Sequence, residues 1–314
     1  MEYSNTVVSV VMITYGHEDY IAEAIEGVLM QQTDFQIELI IANDCSPDDT
    51  NKIIETFISN HPKSYLIKYI KHTSNIGMHA NFFFAINECK GEYIAFCEGD
   101  DYWTDIDKLQ SQYNIFQKDN DVGVVHTNYD VFYQKNSKLS KEVNLQKNIS
   151  TGYIYEYLIR DNFIATLTCM IRKDFLSKIM QQLENLSKEM PMIDYPLWLY
   201  FALDYKIEYI NKSMACYRYL ENSASHSIDV NKQIKFENSL FEIRNFFIKN
   251  VAPVPIKIEK LILTNHKYNQ LAHLSKMKGK RAEFLSTFLS FHKNNRSIKH
   301  LIGSFFYSFK KIIK

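Results

Sequence analysis

The residues of this chain best equipped for chemistry lie in "FCEGDDYWTD", residues 96–105, where Glu98, Asp100 and Asp101 fall within four positions. They follow the apolar run "YIAF", and no cation appears in the sequence after them before Lys108. Carboxylates a few ångström apart repel by about one to several kcal/mol, so such a cluster is either well solvated or neutralised by a cation. A solvated acidic loop is the plain alternative. Against it, a loop that closes a buried strand and opens onto a ligand rim is a place where charge does work. Oxygen-only ligands suit a hard ion, Mg²⁺ or Mn²⁺, which keeps coordination positions open for phosphate oxygens. The guest that matches is a metal-bound diphosphate.

Two further acids stand at element boundaries. Asp44 ends the run "IELIIAND", where its carboxylate can accept the imino N–H of uracil or thymine. Cytosine has no such proton, so an acid here favours UDP or dTDP over CDP. The residues just after it, Ser46, Pro47 and Asp48, have the types that cap and open a helix. Asp194 in "MPMIDYPLWLYFA" precedes an apolar, aromatic helical stretch. It can be that helix's N-cap, or a carboxylate whose pKa burial raises toward a value useful for taking a proton.

These residues need elements to hold them. "VVSVVMIT" is a β-branched run without polar alternation, which suits a strand buried on both faces, and "DYIAEAIEGVLMQQ" follows with helical spacing. The alternation continues through "IELIIAND" and "PDDTNKIIETFIS", then "LIKYIK" and "MHANFFFAINECK", and reaches "EYIAFCEGDD". Such alternation predicts an α/β fold, a mostly parallel central sheet flanked by helices, with ligands bound beyond the carboxyl ends of the strands. Tyr15, Asp44 and the Glu98–Asp101 cluster are expected to converge there. Further strands and a helix are predicted in "VGVVHTNYDVFY" and "FIATLTCMIRKDFLSKIMQQL". From Val230 the chain reads as helical, with a joint at "VAPVPIK". The expected division is 1–229 and 230–314.

Taken together, "VSVVMITYGHEDYIAEAIEGVLMQ", "ELIIANDCSPDDT" and "SNIGMHANFFFAINECKGEYIAFCEGDDYWTDIDKLQSQ" resemble the bacterial inverting glycosyltransferases of family 2, over residues 6 to about 226. The resemblance implies the Rossmann-like GT-A fold and transfer of a sugar from a nucleotide donor, with an acidic D-x-D element holding cation and ribose. Carried across, Asp100 is the metal ligand, and Glu98, where the pattern more often has Asp, is the ribose or second metal contact. Asp101 assists or orients the loop. Thr14 and Tyr15 match the first nucleotide-binding loop, with Gly16 in place of the usual Asn; Tyr15 either stacks on the base or packs on the sheet. Trp103 and Lys108 match the "DDxW" and "KL" elements, Trp103 as a floor of the sugar site and Lys108 as a partner for the acids. "IDYPLW" resembles the "E-D-x-x-L-W" setting of the catalytic base, with Ile193 in place of the first acid, which assigns Asp194 to acceptor deprotonation. Arg218 or His226 in "CYRYLENSASHS" would neutralise the diphosphate leaving group. The implied acceptor is a glycan or lipid-linked glycan of a bacterial surface polysaccharide.

Composition bounds these readings. With 46% apolar and 23% charged residues the chain is globular in type rather than disordered. Five cysteines, widely spaced and without a C-x-x-C pair, suit a reduced, cytoplasmic setting and give no zinc or redox signature. No export signal and no run of about 18 to 20 apolar residues is visible, so the expectation is a soluble or at most peripheral protein. From Val251 onward there are 13 Lys and Arg against Glu259 and Glu283, a net +11. Within it, the apolar residues of "SIKHLIGSFFYSFKKIIK" fall in an arc of about 140° at 100° per residue, with lysines opposite. Such a helix docks on protein, or lies on the anionic inner face of the cell membrane. Nucleic acid is disfavoured, since no reading motif accompanies the charge. Two other functions remain open to test: a non-catalytic nucleotide-sugar or carbohydrate-binding module, and a nucleotidyl or phosphoryl transferase, the latter disfavoured by the lack of a G-x-x-x-x-G-K-[ST] loop.

Overall fold

The computed structural model describes residues 6–143, 149–188, 190, 192–220 and 229–278. The chain divides into two compact units, Met1–Leu220 and Glu221–Lys314.

In the first unit the β-branched runs form buried strands. β1 (Val8–Thr14) is followed by helix α1 (Ile21–Leu29), β2 (Ile37–Asn43) by α2 (Thr50–Asn60), and β3 (Ile67–Lys71) by α3 (Met78–Asn87). Then come β4 (Tyr93–Phe96), the short β5 (Tyr102–Trp103), α4 (Lys108–Phe116) and the long β6 (Val122–Tyr133). β7 (Lys138–Ser140), α5 (Tyr155–Leu158), β8 (Met170–Arg172), α6 (Lys173–Ser187), α7 (Asp194–Asp204) and β9 (Lys206–Tyr219) complete the unit. All of these strands join one mixed sheet in the order β3-β2-β1-β4-β8-β6-β9-β5, with β7 paired to β6.

The half that carries β3, β2, β1 and β4 is wholly parallel, as the alternating pattern requires. Val10 pairs with Leu39 on one side and Ala95 on the other, and all three are sealed from solvent. This explains the unbroken apolar runs: a central parallel strand is covered on both faces. The other half departs from the expected parallel arrangement, because β8 runs antiparallel to both β4 and β6, and β5 antiparallel to β9. Parallel pairing resumes between β6 and β9, broken by register shifts between Val122 and Val124 and around Asn128. β5 lies against α1 because Gly27 has no side chain; a Cβ there would meet the backbone N and O of Trp103 at 2.9 Å.

In the second unit, α8 (Val230–Phe246) starts at Asp229, whose carboxylate accepts from the Asn231 amide. A π-helical turn, Phe247–Val251, leads into the proline-containing break, and α9 (Ile256–Lys278) follows it. Among the described residues no helix is long and apolar enough to cross a membrane. The basic amphipathic stretch 297–314 lies outside the described residues, and so does His226.

Candidate active site

Because β1, β2, β3 and β4 are parallel neighbours, their carboxyl ends open on one edge, and backbone hydrogen bonds draw the loops there together. The Asp44 amide donates to the Thr14 carbonyl at 2.9 Å, and the Gly99 amide to the Ile13 carbonyl at 3.1 Å. Side chains tie the first two loops: the Gly16 amide donates to Ser46 Oγ, the His17 amide to Thr50 Oγ1, and the Glu18 amide to Asp48 Oδ2. Asp48 also accepts the Thr50 amide at the start of α2, although the N-cap position itself is Asp49, which makes no side-chain capping hydrogen bond. Ser46 is used differently; it bonds Gly16 and Asn43 rather than the helix.

The acidic turn sits on the end of β1. A Cβ at Gly99 would stand 2.7 Å from Thr14 Oγ1 and 2.8 Å from His17 Nδ1, so only glycine lets the turn approach. Thr14 is buried there, its Oγ1 3.1 Å from His17 Nδ1, and it braces the turn. Tyr15, next along, is 48% exposed, so it is not packed on the sheet and its ring is open to a ligand.

The three acids have distinct environments. Asp101 is buried and accepts the Arg218 amide at 2.7 Å, so it orients the turn. Burial pushes its carboxyl well above the usual range, with Asp100 and Glu98 adding to the push. Glu98 is pushed up to about 8 by burial first and by the Asp100 charge second, with Asp194 contributing. Its Oε2 is shut from solvent without a hydrogen-bond partner. Asp100 is half-buried, and none of the described hydrogen bonds reaches its carboxylate. Two oxygen donors are therefore left uncommitted at the turn. Among the described residues no set of three or more His, Cys, Asp or Glu side chains forms a cage. The pair suits an ion that takes its remaining ligands from phosphate and water, as Mg²⁺ and Mn²⁺ do.

Asp194 opens α7 as its first helical residue, one position past the N-cap residue Ile193. Burial raises its pKa, opposed by the amides of Tyr195 and Asp194 and by His79. Glu98 and His79 thus both lie within electrostatic reach of Asp194.

Three expected roles change, those of Trp103, Lys108 and Arg218. Trp103 does not floor a sugar site: its ring is enclosed in the core and its Nε1 donates to the Leu167 carbonyl at 2.9 Å. Lys108 does not pair with the acids; it is sealed behind the turn, bonded to Gln112 Oε1 at 2.8 Å with Nζ 4.2 Å from the centre of the Trp103 ring. Arg218 is committed rather than free for a diphosphate. Its Nε donates to the Asp100 carbonyl at 2.9 Å, its Nη2 meets Glu23 Oε2 at 2.5 Å, and its guanidinium lies over the Tyr20 and Tyr102 rings. Asp44 is buried and clamps the loop before α3, accepting the Ile76 amide at 2.7 Å and the Gly77 amide at 3.0 Å. A base imino group would have to share an oxygen that already accepts an amide. Sequence reasoning passed over Gly99 and His79; the lone glycine between acids was a signal for the first, while nothing local marks the second.

Known proteins are similar to this chain in sequence and in fold. Thirty-three per cent identity over 221 residues relates the chain to the uncharacterized protein Rv1520 of Mycobacterium tuberculosis, covering 70% of this chain and 60% of that protein. The chain thus spans about six-tenths of the length of that relative. It is 27% identical to the putative teichuronic acid biosynthesis glycosyltransferase TuaG of Bacillus subtilis, over 70% of this chain and 81% of TuaG. It is 28% identical to the Escherichia coli UDP-Glc:alpha-D-GlcNAc-diphosphoundecaprenol beta-1,3-glucosyltransferase WfgD, over 78% and 87%. Among solved structures, TarS 1-349 of S. aureus in complex with UDP-GlcNAc superposes with a TM-score of 0.59 at 16% identity, over 84% of this chain and 73% of that one. The mannosyltransferase PcManGT from Pyrobaculum calidifontis, in complex with GDP-Man and Mn²⁺, gives 0.59 at 14% identity, over 99% and 90%. At such identities the likeness establishes the fold, a GT-A fold. Residues 9–180 match the signature described as Glycosyl transferase family 2, more than half of the chain, and the chain belongs to that family.

Proposed function

We propose that the protein is a metal-dependent inverting glycosyltransferase that moves a sugar from a UDP- or dTDP-sugar to a hydroxyl of a glycan or lipid-linked glycan in bacterial surface polysaccharide synthesis. The observation that carries this reading is the juxtaposition of an uncommitted carboxylate pair, Glu98 and Asp100, with a third carboxylate, Asp194, within electrostatic reach of Glu98. The family assignment supports the reaction class. TuaG and WfgD, named for teichuronic acid synthesis and for transfer to a diphosphoundecaprenol-linked sugar, support the acceptor class.

In this reading Asp100 and Glu98 hold Mg²⁺ or Mn²⁺, which when bound supplies charge to offset that building on the departing diphosphate. Asp101 and Arg218 hold the turn in place, and Tyr15 offers its exposed ring to the base. Asp44 shapes the loop beside the nucleotide, and its bearing on the choice between uracil, thymine and cytosine acts through an oxygen shared with Ile76 or Gly77. Asp194, raised by burial, accepts the proton of the acceptor hydroxyl as that oxygen attacks the anomeric carbon from the face opposite the diphosphate. One displacement inverts the anomeric configuration.

Thermal denaturation in the presence of UDP-, dTDP-, CDP- and GDP-sugars, with and without Mn²⁺, tests the donor assignment. A ligand at 100 times its Kd stabilises by about 2.7 kcal/mol. The expected result is stabilisation by UDP- or dTDP-sugars that depends on Mn²⁺; stabilisation by CDP- or GDP-sugars alone would overturn the assignment.

A further inference from the structure

An open cavity of about 600 Å³ lies between the first turn of α3 and the end of α6, walled by Ile76, Met78, His79, Phe83, Glu184 and Lys188. Ile76, 41% exposed, and Met78, 52% exposed, give its mouth an apolar side. The wall also carries an acid and a base. Mixed walls of this kind, apolar faces with a few polar groups, match a pyranose ring, which offers C–H patches on its faces and hydroxyls around its edge.

The cavity belongs to the catalytic edge through two residues. Asp44 holds the amides of Ile76 and Gly77, so the same carboxylate that borders the nucleotide loops fixes the cavity's rim. His79 forms the inner wall. Its Nδ1 stands 3.1 Å from the Ser187 carbonyl, which assigns the proton to Nδ1 and joins α3 to the helix end that leads toward Asp194. Its Nε2 is turned inward, shut from solvent and without a partner, and the imidazole lies within electrostatic reach of Asp194. A sugar seated against His79 from outside is divided from Asp194 by the imidazole, so it would be a ring of the acceptor other than the one whose hydroxyl reacts.

We propose that this cavity is a subsite for a sugar ring of the acceptor, with Ile76 and Met78 against its apolar face and His79 as the wall that separates it from Asp194. The proposal rests on the reading of the protein as a glycosyltransferase and adds where the acceptor binds. Ala80, exposed on the same wall, allows the cavity to be filled without disturbing the core.

The test is saturation-transfer NMR with a panel of methyl glycosides of glucose, galactose, N-acetylglucosamine and N-acetylgalactosamine, in the presence of UDP and Mn²⁺. Wild type should transfer saturation to the ring protons of at least one glycoside. Ala80→Trp and, as a variant without added bulk, Met78→Ser should each reduce that signal at least fivefold while leaving stabilisation by UDP unchanged. Absence of signal from the whole panel with wild type, or persistence of full signal in both variants, overturns the proposal. So does loss of UDP stabilisation together with the glycoside signal in both, since the cavity would then belong to the donor. Release of UDP from UDP-sugars into water is measured separately; its absence with every donor counts against the catalytic reading and leaves the glycoside signal to judge the cavity.

Discussion

Arg218 Nε donates to the backbone carbonyl of Asp100 at 2.9 Å, so a side chain from β9 holds the acidic turn by its main chain and leaves the Asp100 carboxylate uncommitted. The Arg218 amide meanwhile takes the Asp101 carboxylate. Lysine cannot reproduce the planar fork that reaches Asp100, Glu23 and Gln134 at once. Arg218→Lys is expected to lower unfolding free energy by about 2 kcal/mol, the scale of a hydrogen bond to a charged group. Mn²⁺ affinity in the presence of UDP should fall at least tenfold. Urea denaturation and calorimetry read the two effects; an unchanged Mn²⁺ affinity would show that the turn holds itself.

Gly99→Ala tests the seating of the acidic turn on β1. The new methyl would lie 2.7 Å from Thr14 Oγ1 and 2.9 Å from Thr14 Cβ, and overpacking of this kind costs about 1–3 kcal/mol. Because relief comes only from moving the turn, nucleotide-dependent metal uptake should be lost more completely than stability. A variant that folds and takes up Mn²⁺ with UDP as wild type does would count against this seating.

Lys108 predicts a pH dependence independent of the metal. Burial lowers its pKa from about 10.4 in an open chain to about 7 in the fold, so between those values the unfolded chain binds more protons and stability rises with pH. The destabilising contribution is full below pH 7. Lys108→Met removes the charge while Gln112 keeps its bonds to the Val125 and Thr168 carbonyls. The variant should be more stable than wild type at pH 6, and its stability should change less between pH 7 and 9. Chemical denaturation at these pH values checks both; parallel curves would contradict the account.

Cys45 follows Asp44 with φ of +61°, a left-handed conformation that costs a non-glycine residue about 1–2 kcal/mol. Cys45→Gly relieves it but frees the unfolded backbone, an opposing effect of about 0.5–1 kcal/mol. The net expectation is a gain of about 0.5 kcal/mol with UDP binding retained. A loss of stability would mean that the half-buried thiol contributes packing larger than the strain.

Half of the sheet was legible because a buried parallel strand and its crossover helix write different periods into the chain, as "IELIIAND" and "PDDTNKIIETFIS" do. A strand was legible in the segment that holds β8, but not its antiparallel direction, and the two-residue β5 was not legible at all, since two or three residues carry no period. At the site, the carboxyl-edge position of Asp44 and of the acidic turn followed from the alternation alone. The partners of these residues did not. Arg218 lies 118 residues from Asp100, and Asp44 reaches Ile76 and Gly77 across 32 and 33 residues, separations at which residue type says nothing about contact. Trp103 and Lys108 illustrate the same limit: matched to site elements by sequence, they are sealed within the core.

The central claim is that Asp100 and Asp194 act on one nucleotide sugar, the first beneath its diphosphate and the second at the incoming hydroxyl. Nucleoside diphosphate release with donor and glycan acceptor tests it most directly, comparing wild type with Asp100→Ala and Asp194→Asn. The account predicts acceptor-dependent release by wild type, and losses of about 10²-fold or more in each variant. Asp194→Asn should retain Mn²⁺-dependent stabilisation by the donor, and Asp100→Ala should lose it. Wild-type turnover by Asp194→Asn, or donor stabilisation by Asp100→Ala equal to that of wild type, would contradict the account.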